Sequence, residues 1–158
     1  LGDAPKIGVT WKSLKLDPGR SVAYSPIELW EPVLRTSGCT FINLQYGDAA
    51  DDIALAKERF GVDLVTPPGI DLKDDLDDLA ALCAAVGWVI GSMNATMNIA
   101  MAVGAEGWCL YGARRTWSRM GFDDLPWYPV NRSFCCPGIR QWGPVMADVA
   151  AALDARLG

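Results

Sequence analysis

Histidine is missing from the 158 residues, and the absence removes whole classes of chemistry. Ser-His-Asp and Cys-His catalysis, and metal held on imidazole, cannot come from within this chain. No C-x-x-C pair occurs among Cys39, Cys83, Cys109, Cys135 and Cys136. An odd number of cysteines, three of them inside apolar runs, reads as buried reduced thiols of a cytoplasmic protein. An excess of basic residues is lacking too. A net charge of −5 gives no general footing for nucleic acid, yet leaves room for a small phosphate-bearing ligand met by local dipoles and a few arginines. There is no G-x-G-x-x-G or Walker A sequence, so an ordinary dinucleotide or P-loop site is not expected. A signal peptide and an initiating Met are also missing, and the chain reads as a piece cut from a longer protein.

One long uncharged run does occur, from Leu79 to Ala105, and it exceeds the roughly 20 residues a membrane span requires. Gly87, Gly91, Gly104, Asn94, Asn98, Ser92 and Thr96 fall where a helix, strand and helix would break it, so no membrane span is expected. What is present is globular composition, half apolar and about a fifth charged, at a length that suits one domain spanning residues 1–158.

Strands and helices alternate along it. Lys6 to Trp11 reads as a buried strand and Lys12 to Tyr24 as a polar loop. Ser25-Pro26-Ile27-Glu28 has the form of a capping box with proline at the first helical position, starting a helix whose stripe is Leu29, Trp30, Val33 and Leu34. Further strands are expected at Thr40 to Gln45, Val62 to Val65, Trp88 to Ile90, Gly107 to Tyr111 and Arg132 to Cys136. Helices are expected at Asp48 to Phe60, Leu76 to Val86, from Met93 or Asn94 to Gly104, and at Trp142 to Leu157. The fold class is α/β, a Rossmann-like parallel sheet of about six strands with helices on both faces, in which ligands bind beyond the carboxyl ends of the strands.

The stretch Gly87 to Gly104 is the centre of that plan. A strand, a tight turn and a helix N-terminus follow one another there with no charged side chain, and free amides with a dipole of about half a positive charge make an anion site without Lys or Arg. Ser92, Asn94, Thr96 and Asn98 stand around it as side-chain donors. The other strand ends carry Thr10-Trp11-Lys12, Gln45-Tyr46-Gly47 and Gly112 to Arg115. A nucleotide laid across them would have base and ribose near Gln45 and phosphates near Ser92 to Thr96, within reach of Arg20 and of Arg114 or Arg115. The acidic cluster Asp71, Asp74, Asp75, Asp77 and Asp78 contains the D-x-D of Asp75-Leu76-Asp77, but it has no EF-hand spacing and sits where a helix dipole favours acid anyway; a solvated helix start is expected, and no metal. The loop Gly112 to Asn131 holds Trp117, Trp127 and Tyr128, which either stack on a sugar or base or pack the loop down.

Asp75 to Gly104, then Pro126-Trp127-Tyr128-Pro129 with Arg132 and Phe134, then Gln141-Trp142 before a last helix, resemble the C-terminal half of two-domain glycosyltransferases of the heptosyltransferase-like group. That group includes bacterial proteins in which this half follows tetratricopeptide repeats, some similar to transferases that modify flagellin. The resemblance implies half of a GT-B fold that holds a nucleotide-sugar donor, as substrate rather than cofactor, against an N-terminal domain carrying the acceptor and the general base. It implies that Thr10, Trp11 and Lys12 line the donor site, that Arg20 faces the phosphates, that Gln45 and Tyr46 lie near the nucleoside, and that Asn94, Ala95 and Thr96 contact the diphosphate. Asn98 stands where the family places a histidine, so charge at that point would have to come from arginines such as Arg114. The alternative is a non-catalytic nucleotide-binding or scaffold domain that kept the fold and lost the chemistry.

Overall fold

The computed structural model describes residues 2–14, 21–113 and 117–158. Five parallel strands form one sheet: β1 (Lys6–Thr10), β2 (Thr40–Asn43), β3 (Trp88–Ser92), β4 (Glu106–Tyr111) and β5 (Asn131–Cys135), in the order β2-β1-β3-β4-β5. Each is mostly Val, Ile, aromatic or small residues, and β3 is buried along its whole length, as a central parallel strand must be.

The third of the six expected strands, Val62 to Val65, shrinks to a single parallel bridge in which Val65 pairs with Ile42. Val65 exchanges hydrogen bonds with Phe41 and Asn43, and then Pro67 and Pro68, which have no N–H to give, end the pairing. The bridge nonetheless lies beyond β2. Counted as a vestigial third strand, it completes the order 3-2-1-4-5-6 of doubly wound nucleotide-binding folds, whose direction reverses between β1 and β3.

Helices cover both faces and divide the core in two. On one face Ile7, Val9, Ile90 and Leu110 pack with Trp30 and Val33 and with Trp142, Met146, Val149 and Leu153 of α5 (Trp142–Leu157). On the other, Ile42, Leu44, Val89 and Cys109 meet Leu79 and Cys83 of α3 (Leu76–Val86) and Met97, Ala100 and Met101 of α4 (Ala95–Ala102). The Leu76 and Trp142 starts agree with the sequence expectation. Asp75 caps α3 by accepting from Asp78 N, and Gly87 at φ +73° closes it in the left-handed conformation that glycine adopts without penalty.

The expected helix from Ser25 is broken. A 3-10 turn at Ile27–Leu29 precedes a short α1 (Glu31–Leu34), because Pro32 has no N–H for the Glu28 carbonyl and its ring would crowd that oxygen. Ser25 does not cap; its hydroxyl accepts the indole N–H of the fully buried Trp30 at 2.8 Å. The helix expected over Asp48 to Phe60 forms as α2 (Ala50–Leu55) running into a wider π turn at Ala56–Phe60, closed by Gly61 at φ +70°. Among the described residues no helix is long and apolar enough to cross a membrane.

Candidate functional site

The point where strand order reverses lies between the carboxyl ends of β1 and β3, and the residues there are tied to one another. Gly8, Val9 and Thr10 run in register with Val89, Ile90 and Gly91. A Cβ on Gly91 would come within 2.3 Å of the Thr10 carbonyl oxygen, so only glycine lets the two strand ends approach this closely. Asn94, the N-cap of α4, spans the gap. Its Oδ1 accepts from Met97 N at 3.0 Å, while its Nδ2 donates to Thr10 Oγ1 at 2.8 Å and to the Lys12 carbonyl at 3.2 Å.

Gln45 is the second tie. Its Oε1 accepts from Thr10 Oγ1 (3.2 Å), Trp11 N (2.9 Å) and Lys12 N (2.9 Å), and its Nε2 donates to the Tyr46 carbonyl. With the residue 2% exposed, its oxygen taken by three donors and one N–H on the Tyr46 carbonyl, Gln45 shapes the loop after β1. Thr10 is likewise buried and engaged.

At the start of α4 only Ala95 is exposed, at the first helical position; its amide and that of the buried Thr96 are the ones the helix leaves without an internal acceptor once Asn94 has taken Met97 N. The hydroxyls of Ser92 and Thr96 are buried at this turn and have no hydrogen-bond partner among the described residues, which is unusual for buried polar atoms. Lys12, part exposed, holds its ammonium 2.6 Å from Asp52 Oδ2. Tyr46 is part buried, with its hydroxyl on Ser13 Oγ at 3.2 Å. Beyond the end of β2 a cavity of about 680 Å3 opens beside Asn43, Gln45, Tyr46 and Thr66, walled by the loop 69–74. Arg20, Arg114 and Arg115 lie outside the described residues.

Asn98, four residues along α4 from the cap, is exposed but not idle. It donates to the Asn94 carbonyl at 2.8 Å and accepts the Tyr128 hydroxyl at 2.9 Å. The aromatic loop is thereby pinned to the helix start, and Trp127 adds a hydrogen bond from its indole to the Ser118 carbonyl while its ring stays exposed. Tyr128 packs against the α3 and α4 side of the core, whereas Trp117 stands out in solvent.

A larger cavity, about 1340 Å3, lies elsewhere, along the outer edge of β5 against α5. It is an open trough at a sheet edge, lined by β5 and α5 rather than by the strand ends where doubly wound sheets bind ligands; the smaller cavity lies at the carboxyl end of β2, the neighbour of β1.

The acidic cluster behaves as a solvated helix start. Asp71 accepts from the Lys73 and Asp74 amides, which hold its carboxyl below the usual carboxylate range, while Asp75 and then Asp77 at Asp78's side push that residue's carboxyl up. Among the described residues no group of three or more His, Cys, Asp or Glu side chains is placed to hold a metal. None of the five cysteines is in a disulfide, and burial pushes the thiols of Cys83 and Cys136 up to about 11 and that of Cys109 to about 12.

Asp52 has no motif to announce it. One acidic residue among several on an amphipathic helix looks like solvated surface, and only the folded chain shows its oxygen facing both Trp11 and Lys12.

Comparison with known proteins places this geometry among related folds. No protein-family model matches the chain. Protein FlbA of Caulobacter vibrioides is 54% identical over 153 residues, which is 97% of this chain and 26% of that protein, so the chain spans about a quarter of its relative. The structure of the E. coli heptosyltransferase WaaC with ADP superposes with a TM-score of 0.68 at 15% identity, over 100% of this chain and 46% of that one. The glycosyl transferase family 9 protein of Veillonella parvula DSM 2008 gives 0.63 at 14% identity, over 85% of this chain and 36% of that one. The chain therefore has the α/β Rossmann-like fold found in part of these glycosyltransferases.

Proposed function

We propose that this chain is a single nucleotide-sugar-binding domain, residues 1–158, acting as the donor half of a metal-independent GT-B glycosyltransferase. Its partner would be an N-terminal domain on a longer chain that carries the acceptor, with tetratricopeptide repeats as a further possible neighbour in the cytoplasm. The observation that carries the reading is the start of α4 at the reversal between β1 and β3: the exposed Ala95 leads the helix with an amide that has no acceptor inside it, and the Asn94 cap beside it holds the carbonyl of Lys12, whose side chain is about a quarter exposed.

In this reading the diphosphate of the donor sits at the start of α4 against the exposed Ala95 amide, where the helix dipole and charge-assisted hydrogen bonds stabilise it without metal. Lys12 supplies positive charge from the β1 side, and Arg20 and Arg114 are the arginines proposed to complete it. The nucleoside lies in the cavity beyond β2, against Tyr46 and over the floor that Gln45 builds. Trp11, Thr10, Ser92 and Asn94 set the backbone geometry beneath. As the acceptor hydroxyl displaces the nucleoside diphosphate from the anomeric carbon, negative charge grows on the departing phosphate, and donors already aimed at it lower the barrier. Asn98 contributes a dipole but no charge there. The fold shared with part of a heptosyltransferase solved with ADP supports this reading.

Calorimetric titration of the protein with ADP, UDP and GDP tests it. Saturable binding of one of them, weakened at least about fivefold in Lys12→Met, is expected for a site that uses a charged hydrogen bond to phosphate. Absence of saturable heat with all three would favour the scaffold alternative.

A further inference from the structure

One oxygen on α2 governs what Lys12 can do. Asp52 Oδ2 accepts the indole N–H of Trp11 at 2.7 Å and the ammonium of Lys12 at 2.6 Å. Trp11 is 1% exposed, its ring locked among the large side chains of the core, so the oxygen is held from one side by a group that cannot move. From the other side it holds a lysine with about a quarter of its side chain exposed at the mouth of the crevice. The backbone of the same segment is fixed independently, with Trp11 N and Lys12 N on Gln45 Oε1 and the Lys12 carbonyl on Asn94 Nδ2. Backbone and side-chain tip of Lys12 are thus pinned at both ends. An ammonium has three donors, so two remain after Asp52 has taken one.

We propose that Asp52 is the positioning residue of the phosphate site: through its shared oxygen it uses the immobile Trp11 indole as an anchor and presents the Lys12 ammonium, preset, to a nucleoside diphosphate. The inference rests on the donor-site reading above and adds a residue that the reading did not contain. A free lysine side chain has many rotamers to give up on binding, and a lysine already held in one place does not lose them then. The ion pair itself adds little to stability, being part exposed; its value is in the geometry it imposes.

Only Oδ2 is used, so an amide can replace the carboxylate and still accept both hydrogen bonds. That separates position from charge. Asp52→Asn keeps the anchor and removes the negative charge, whereas Asp52→Ala removes both. For the best-bound of ADP, UDP and GDP, Asp52→Ala is expected to lose about tenfold in affinity and Asp52→Asn to stay within about threefold of the parent, as for a preset cation whose placement is lost in one and kept in the other. The indole 15N–1H resonance of Trp11, assigned with Trp11→Phe, is expected to shift in Asp52→Ala and stay near its place in Asp52→Asn. Thermal melts distinguish collapse of the fold from loss of placement. Affinity unchanged in Asp52→Ala, or lost equally in both variants, overturns the positioning role while leaving the donor site standing. A parent protein that binds none of the three nucleotides removes the donor site, and the role of Asp52 falls with it.

Discussion

Replacing Gln45 by leucine should cost far more than a change of one polar side chain on a loop. The substitution keeps most of the volume and removes an oxygen that accepts from Thr10 Oγ1, Trp11 N and Lys12 N at 2.9 to 3.2 Å. Each buried donor left without a partner costs about 1–3 kcal/mol. Water can reach Lys12 N, because that residue is part exposed, but not the fully buried Thr10, and Trp11 is sealed as well. Asn94 Nδ2 still contacts Thr10 Oγ1, but that contact uses the hydroxyl's lone pair, not its proton. The sum after partial rehydration is about 3 kcal/mol. For a chain of this length each kcal/mol lowers the midpoint by about 2–4 °C, so the melting temperature should fall by about 6–12 °C. Circular dichroism melts read the total, and amide hydrogen exchange reads its location, with Trp11 N and Lys12 N losing protection before the amides of β1. A fall below about 2 °C with both amides still protected would refute the account of Gln45 as the residue that builds the loop after β1.

Three further outcomes follow from other parts of the molecule. Burial would raise the Glu106 carboxyl, but hydrogen bonds from Arg156 and from the Trp108 indole outweigh it and hold the group below its ordinary value. A carboxyl depressed on folding contributes stability above its unfolded value, near 4.3, and loses it as pH falls through the folded one, so Glu106→Gln should flatten the stability profile between about pH 5 and 3 by under about 1 kcal/mol in urea titrations; a profile as steep as the parent's would contradict this. With thiols pushed to about 11, 12 and 11, Cys83, Cys109 and Cys136 should resist an aromatic disulfide reagent at pH 8 in the native protein and react on unfolding, which a colorimetric count reads directly. Gly91→Ala would drive a methyl to 2.3 Å from the Thr10 carbonyl oxygen and should destabilise by about 1–3 kcal/mol or more through overpacking, measured by denaturant midpoint.

How far the sequence reaches differs between fold and site. The alternating pattern, the Leu76 and Trp142 helix starts and the Trp88 strand are legible because periodicity, caps and glycine stops all agree there. The break at Pro32 was readable too, since a proline four residues past the Glu28 carbonyl forbids a continuous helix, but the capping-box pattern at Ser25 outweighed it. The shortening of Val62 to Val65 to one bridge follows from neighbours in space, which no window along the chain reveals. At the strand ends named from the sequence, hydrogen bonds tie Thr10, Trp11, Lys12, Gln45 and Asn94 to one another. Which of them face inward is a tertiary matter. A glutamine at the end of a strand reads as a ligand donor, and the fold turns it into scaffolding; an aspartate on a polar helix reads as surface, and the fold sets it against Lys12. The arginines expected at the phosphates, Arg20 and Arg114, fall outside the described residues.

The most direct test of the central claim is amide chemical-shift mapping as ADP, UDP and GDP are added in turn to the isotope-labelled protein. The account predicts saturating shifts, with one nucleotide, at Ala95, Thr96 and Lys12 and around the cavity at Tyr46 and Thr66. Saturating shifts confined to the β5 and α5 trough near Arg132 and Asp148, with the start of α4 unmoved, would contradict it.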